Sequence, residues 1–385
     1  MEKRTRNREP GLPLREILVT GSVGRSSIAT MVAALLHGSG EAVVHLGSHY
    51  LHSPLERLTF NGTPVSADQA ARLLTDRGAA EPRVDDLLGG FVRIQGARWL
   101  VRSGLATDGD RVELVVFAPI LPAAGHAGEV ARDLCRAIPM ASAAVSAPQR
   151  ESALDVLRPA YPGLQEVAQL CRLSKGRADL EGQALRLRTP RAEYRLTLPL
   201  LGYFQLENAA TAILAVEQLA ALGVELTPEG AASSLTSLRL PGRLEVLKRE
   251  PLVLVDSCSV GAALPRIRDA LRDLAGSRRI LAVLDLSEGL DFTAAIDVLA
   301  ALHVEIFAVL PPDAPAAQAT FRQTCYEAGL PLQISRDVAG AIDQALPAAG
   351  SSYAVIVLGS PAAAASARAL VLGLMPPDTG LHYTG

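Results

Sequence analysis

VTGSVGRSS, Val19 to Ser27, is the stretch on which the reading of this chain turns. The apolar run Ile17 to Val19 before it reads as a buried strand, and Ser26 to Leu36 after it carries apolar residues at helical spacing. A glycine-bearing turn between a strand and a helix points backbone N–H groups and the positive end of the helix dipole at an anion. In the phosphate-binding loop G-x-x-x-x-G-K-[ST], the lysine adds a mobile charge and the hydroxyl a magnesium ligand. Here Gly21, Gly24, Ser26 and Ser27 keep much of that equipment, Val19 stands at the first glycine and Arg25 replaces the lysine. Arginine keeps the charge, but its planar fork is not equivalent to an ammonium at a tight phosphate site. As a bare motif the match is weak, and a turn kept for packing is the rival reading.

Working outward, strands and amphipathic helices alternate. Strands are expected at Ile17–Thr20, Ala42–Leu46, Arg98–Val101, Val112–Phe117 and Ala143–Ser146, with helices at Ser26–Leu36, Ala67–Thr75, Gly128–Ile138 and Ser152–Arg158. A hairpin, Ala184–Arg188 with Tyr194–Leu198, precedes helices at Gln205–Leu222 and Pro228–Leu235. After Pro241 the rhythm restarts with strands at Leu252–Val255, Ile280–Leu284, Val304–Leu310 and Ala354–Leu358, and the tract Ala362–Ala365 reads as a helix start. This implies two α/β units, 14–244 and 245–385, behind a disordered basic tail, 1–13.

The 385 residues suffice for two full cores, and a net charge of -3 gives no electrostatic reason to expect nucleic acid or an anionic membrane as partner. No apolar run has the length of a membrane span, and the basic N-terminus lacks the apolar core of a signal peptide. The four cysteines, Cys135, Cys171, Cys258 and Cys325, lie far apart without metal-ligand spacing and read as thiols of a reducing, cytoplasmic compartment. Only three of the 37 basic residues are lysine, so arginine at position 25 also fits a general drift in composition. His45, His49 and His52 have the spacing of one helical face, but the strand expected at Ala42–Leu46 breaks that face.

Several segments, in order, resemble the folylpolyglutamate synthase and dihydrofolate synthase branch of the Mur ligase superfamily. SHYLHSPLERLTFNGTPVS, Ser48 to Ser66, is similar to its stretch from a Ser-Pro-His-Leu loop to an Asn-Gly-x-Pro-Ile-Ser turn. LLGYFQLENAATAILAVEQL, Leu200 to Leu219, resembles its Gly-x-His-Gln-x-x-Asn-Ala helix, and LPGRLEVL, Leu240 to Leu247, its Pro-Gly-Arg-x-Glu linker. The strand ending at Asp256 stands where an Asp-Gly-Ala-His-Asn motif begins. The resemblance covers about residues 14 to 375 and implies a Mur-ligase-like α/β fold: a central P-loop-type ATPase domain on a parallel sheet, followed by a smaller Rossmann-like domain. It implies ATP and Mg2+ as cofactors, a folate-like or other carboxylate substrate, and amide formation through an acyl phosphate. Gly21, Gly24, Arg25, Ser26, Ser27, Asn208, Arg243 and Asp256 become candidates for nucleotide, Ser26 and His126 for metal, and Ser48 and Tyr50 for substrate.

The same resemblance exposes losses. Arg25 stands for the loop lysine, Arg102 for a magnesium-binding glutamate, and Gly125 for the aspartate before the metal-binding histidine matched by His126. Leu134, Cys135 or Arg136 stands for a lysine that the family carbamylates. Phe204 replaces the histidine of the Gln205–Asn208 helix, Ser257–Gly261 lacks the His-Asn pair, and Leu290 with Asp291 replaces a Lys-Asp pair. No retained catalytic residue is assigned. The expectation is an impaired or inactive ligase homologue that keeps nucleotide binding or acts through a protein partner. The alternative is an active, divergent ligase adding an amino acid of the glutamate type, with Arg25 and Arg102 replacing metal charge. Glu113 is the nearest downstream acid that would restore a metal site if it reached Ser26.

Overall fold

The computed structural model describes residues 14–48, 50–75, 87–88, 91–92, 95–104, 111–120, 127–138, 140–257, 260–287 and 293–374. The tail 1–13, His49, Gly125, His126, Cys258, Leu290 and Asp291 lie outside them. The protein is an α/β structure with three sheets. Eight strands form the first: β1 (Arg15–Thr20), β2 (Val43–Leu46), β3 (Leu58–Phe60), β4 (Thr63–Pro64), β5 (Trp99–Ser103), β6 (Arg111–Phe117), β7 (Met140–Ser146) and β8 (Gln165–Glu166). Their order is β4-β3-β2-β5-β1-β6-β7-β8, parallel from β2 to β8 with an antiparallel edge at β3 and β4. β1 is therefore central, and Ile17, Leu18 and Val19 are wholly buried, as a strand covered on both faces requires. β1 pairs with β5 on one side and β6 on the other, so the loop after it opens at the strands' carboxyl edge, where such sheets place ligands.

β9 (Arg172–Asp179), β10 (Gly182–Arg188) and β11 (Glu193–Leu198) make an antiparallel sheet ordered β11-β10-β9. The hairpin expected from the sequence is β10 with β11. β9 is an addition: its residues are almost all exposed and give no alternation to read. The third sheet comprises β12 (Glu245–Arg249), β13 (Leu252–Asp256), β14 (Arg279–Asp285), β15 (Glu305–Val309), β16 (Leu332–Ser335) and β17 (Tyr353–Leu358), ordered β12-β13-β17-β14-β15-β16. It is parallel except at the β12 edge.

The helix Arg25–Gly38 is buried on most of its circumference, with Ile28, Met31, Val32, Leu35 and Leu36 fully enclosed. It packs between the first sheet and the helices Tyr203–Glu217 and Pro228–Thr236. Trp99 and Val101 share this core, whereas Leu100 belongs to the cluster on the sheet's other face, as the two-residue period of β5 demands. The Tyr203–Glu217 helix carries a buried carboxylate, Glu217, whose Oε1 accepts from Thr189 Oγ1 and Tyr194 Oη, both at 2.7 Å. These bonds tie the antiparallel sheet to the helix that also bears Gln205 and Asn208.

The first and third sheets are joined by named contacts. Arg368 donates from Nε to His52 Nε2 at 3.3 Å and pairs with Glu245. Arg266 meets Glu207 at 3.2 Å, and Leu51 belongs to a core cluster otherwise made of residues from Leu247 onward.

Candidate functional site

The loop after β1 is shaped by two glycines. A Cβ on Gly21 (φ +128°) would stand 2.5 Å from the Ala118 carbonyl oxygen, and one on Gly24 (φ +75°) would stand 2.8 Å from Asn208 Oδ1. Neither the backbone conformation nor the space admits a side chain. Ser22 and Val23 donate their N–H groups to the Pro119 carbonyl at 3.1 and 3.2 Å, which fixes the loop against the end of β6. Gly24 caps the following helix without a side-chain bond, and no acidic residue sits in the first turn. The positive end of this helix is thus left to whatever occupies the cleft.

That cleft encloses about 210 Å³. The loop contributes Gly24, Arg25, Ser26 and Ser27, β2's following turn contributes Ser48, and the Tyr203–Glu217 helix contributes Phe204, Gln205 and Asn208. Arg243, Asp256 and Ser257 close it from the linker and β13, and Arg266 from the helix Val260–Ala275. Of the residues singled out in the sequence, Gly24, Arg25, Ser26, Ser27, Ser48, Asn208, Arg243 and Asp256 come together here; Gly21 shapes the loop from behind, and Tyr50 does not line the cleft. Arg266 and Ser257 were not singled out as contacts. Arg266 sits on a helix whose charged residues read as a solvated face, and nothing in the local pattern marks it.

Arg25 donates from Nη1 to the Gly21 carbonyl at 3.0 Å, while its buried Nε has no hydrogen-bond partner. Burial, and secondarily the charge of Arg243, pull its pKa below the ordinary guanidinium value. The two cations therefore face one space and repel. Arg243 donates to the Ser257 carbonyl and hydroxyl, both at 3.0 Å, which holds the guanidinium against the end of β13. Asp256 accepts the Leu244 N–H on Oδ2 at 2.7 Å, pinning the linker where Leu244 adopts φ +46°. One oxygen of this carboxylate thus serves the linker backbone. Asn208 is 1% exposed; its Nδ2 donates to Gln205 Oε1 at 3.0 Å, Gln205 Nε2 reaches Ser27 Oγ at 3.5 Å, and Asn208 Oδ1 has no partner.

β5 corrects one expectation. Arg102 does not face the loop: its Nε donates to Glu16 Oε1 at 3.0 Å on the opposite face of the sheet, so it is not a substitute for metal charge. The next residue, Ser103, points toward the loop because alternate strand residues face opposite ways. Its Oγ donates to Ser48 Oγ at 3.3 Å, and Ser48 Oγ lies 3.1 Å from Ser26 Oγ. Glu113 does not restore a carboxylate there, since it lies near the start of β6 beside Ser142, 3.4 Å away. Magnesium takes oxygen ligands in octahedral array and is held by carboxylates or phosphates. Three neutral hydroxyls do not make that donor set, and among the described residues no group of three or more His, Cys, Asp or Glu side chains could hold a metal ion. ATP phosphates, by contrast, fit the uncapped helix end and the paired guanidinium groups.

A P-loop-like turn under a mostly parallel sheet, a linker arginine and a second parallel sheet across the cleft define a protein of the Mur ligase fold. The dihydrofolate synthase/folylpolyglutamate synthase of Bacillus subtilis is 24% identical over 311 residues, 71% of each chain. The Mycobacterium tuberculosis folylpolyglutamate synthase complexed with ADP and AMPPCP superposes with a TM-score of 0.78 at 19% identity, covering 94% of this chain and 91% of that one. An FPGS–AMPPCP–folate complex gives 0.76 at 19% identity, again over 94% and 91%. No family model matches the chain. By sequence the chain is similar to a dihydrofolate synthase/folylpolyglutamate synthase, and its fold is that of the solved folylpolyglutamate synthases. No helix among the described residues is long and apolar enough to cross a membrane.

Proposed function

We propose that this chain is a folylpolyglutamate synthase homologue that retains a nucleotide site but has lost ordinary magnesium-dependent ligation. The observation that carries this is the hydroxyl set Ser26, Ser48 and Ser103 at the loop, where a metal-assisted phosphoryl transfer needs a carboxylate. Gly24, Arg25, Ser26, Ser27, Asn208, Arg243 and Asp256 would contact nucleotide, Gly21 would shape its loop, and Ser48 would lie beside it. The units 14–244 and 245–385 would each supply one wall. The two solved relatives carry AMPPCP, and one of them also carries folate, which supports a nucleotide and admits a folate-like carboxylate as the second ligand.

Positioning and charge neutralisation make up most of phosphoryl-transfer catalysis, and losing one such group commonly costs about 10²- to 10³-fold. Here arginine stands at the lysine position, a serine, Ser103, reaches the loop from β5 among the described residues, and Arg102, bound to Glu16, supplies no replacement charge. A cytoplasmic regulatory role beside an active ligase is the setting this favours. The test is phosphate release from ATP with magnesium, glutamate and folate or dihydropteroate. The expected result is nucleotide binding by calorimetry without acceptor-dependent release; turnover that requires both acceptor and magnesium would sink the proposal.

A further inference from the structure

Resting on the nucleotide site proposed above, we infer that the cleft takes the phosphate chain of a nucleotide in its metal-free form, with Arg25 and Arg243 supplying the charge that a divalent cation otherwise provides. Magnesium then competes with the protein for the nucleotide, and adding it weakens binding. In an ordinary P-loop site it strengthens binding.

Three observations carry this. Two guanidinium groups line one cleft, burial and then the charge of Arg243 disfavour the charge on Arg25, and Arg25 Nε is buried without a partner. A buried guanidinium that faces a second cation, as Arg25 does, is relieved by an anion more than by a neutral ligand or by one whose charge is already halved by a metal. Second, among the described residues the side chains hydrogen-bonded to one another at the loop are hydroxyls, Ser26, Ser48 and Ser103, and the cleft's carboxylate, Asp256, has one oxygen committed to the Leu244 N–H, so a magnesium ion arriving with the nucleotide meets a poor ligand set beside two cations.

Third, the buried amide relay can reverse. As found, Ser27 Oγ accepts from Gln205, Gln205 accepts from Asn208, and Asn208 Oδ1 is left without a partner next to Gly24. Turning both amides over lets Ser27 donate to Gln205 and Gln205 donate to Asn208, which then presents its NH2 group beside the loop. Every member is then satisfied when an acceptor oxygen of the ligand meets the Asn208 NH2 group, and an anionic oxygen makes the strongest such bond. The relay and the guanidinium pair thus select the same kind of ligand, a bare polyphosphate oxygen.

The experiment is a calorimetric titration of the purified chain with ATP, once in EDTA and once with magnesium in excess over ATP. The expected result is binding in EDTA that weakens by roughly tenfold or more with magnesium. Equal or tighter binding with magnesium overturns the inference and leaves the nucleotide site standing. No binding under either condition overturns both. Arg243→Gln adds a second readout: its affinity in EDTA should fall by at least about tenfold, while the magnesium effect shrinks to within about threefold. A magnesium effect of undiminished size in that variant would refute the role given to the arginine pair.

Discussion

Replacing Arg25 with methionine should make the empty protein more stable and the nucleotide complex weaker. Removing the guanidinium loses one hydrogen bond, Nη1 to the Gly21 carbonyl at 3.0 Å, a contribution of about 1.5 to 3 kcal/mol for a charged donor. It also removes a buried Nε with no partner, an omission that costs about 1 to 3 kcal/mol. The repulsion from Arg243 disappears as well. Methionine retains a flexible apolar stem that fills the space left by the arginine stem. The two terms cancel within their ranges, so the relief of burial and repulsion sets the sign, and the net gain is at most about 1 kcal/mol, which for folding units of this size raises Tm by roughly 2 °C. Affinity for ATP should move the other way by about 30- to 150-fold, since about 2 to 3 kcal/mol of charge-assisted bonding to phosphate is lost. Urea unfolding in phosphate-free buffer and calorimetry with ATP in EDTA measure the two effects. A variant markedly less stable than the parent, with unchanged affinity, would refute the reasoning and make Arg25 a structural brace of its own loop.

Gly21→Ala should cost about 2 to 4 kcal/mol in urea unfolding, because a left-handed backbone and a contact with the rigid Ala118 carbonyl oppose it together; a loss under about 1 kcal/mol would show that the loop is free to move. Burial lowers the pKa of His45 from 6.5 to about 4, so the folded state holds the ring neutral after the unfolded chain has bound its proton. That contribution is complete above pH 6.5 and declines, at up to about 1.4 kcal/mol per pH unit, as pH falls from 6.5 toward 4. His45→Leu should flatten this acid limb, and an unchanged slope would count against it. Tyr194→Phe leaves Glu217 with one donor fewer in a buried site and should cost about 1.5 to 3 kcal/mol, read as a drop in urea midpoint at constant slope.

The strands that the sequence marked clearly are those buried on both faces. β1, β6, β13, β14 and β17 are continuous apolar runs bounded by turn residues, and a run of that kind has few other ways to leave water. The elements that gave little signal are edges: β9 is exposed along its length, β12 carries charge on its outer end, and β16 alternates only partly. Their strand character comes from hydrogen-bonding partners distant in sequence, and side-chain pattern says little about such partners. The helix Arg25–Gly38 was readable, although its near-complete burial was not, since that depends on the Tyr203–Glu217 helix arriving from almost 180 residues away, as in the Gln205–Ser27 contact.

For the site, the sequence by itself determined the loop with its two glycines, the arginine in the lysine position, the Gln205–Asn208 spacing, the linker at Arg243 and the family that these segments resemble. These are local features, written in contiguous residues whose backbone demands are legible one segment at a time. The tertiary structure decided what those residues face. Strand parity is one case: a single step along β5 turns Arg102 toward Glu16 and Ser103 toward Ser48, and an alignment uncertain by one residue cannot choose between a cation and a hydroxyl at the loop. The pairing of Arg25 with Arg243, more than 200 residues apart, is the other. It exists because β1 and β13 belong to different sheets that meet across one cleft, and electrostatic coupling depends on distance through space, which no order of residues along a chain expresses.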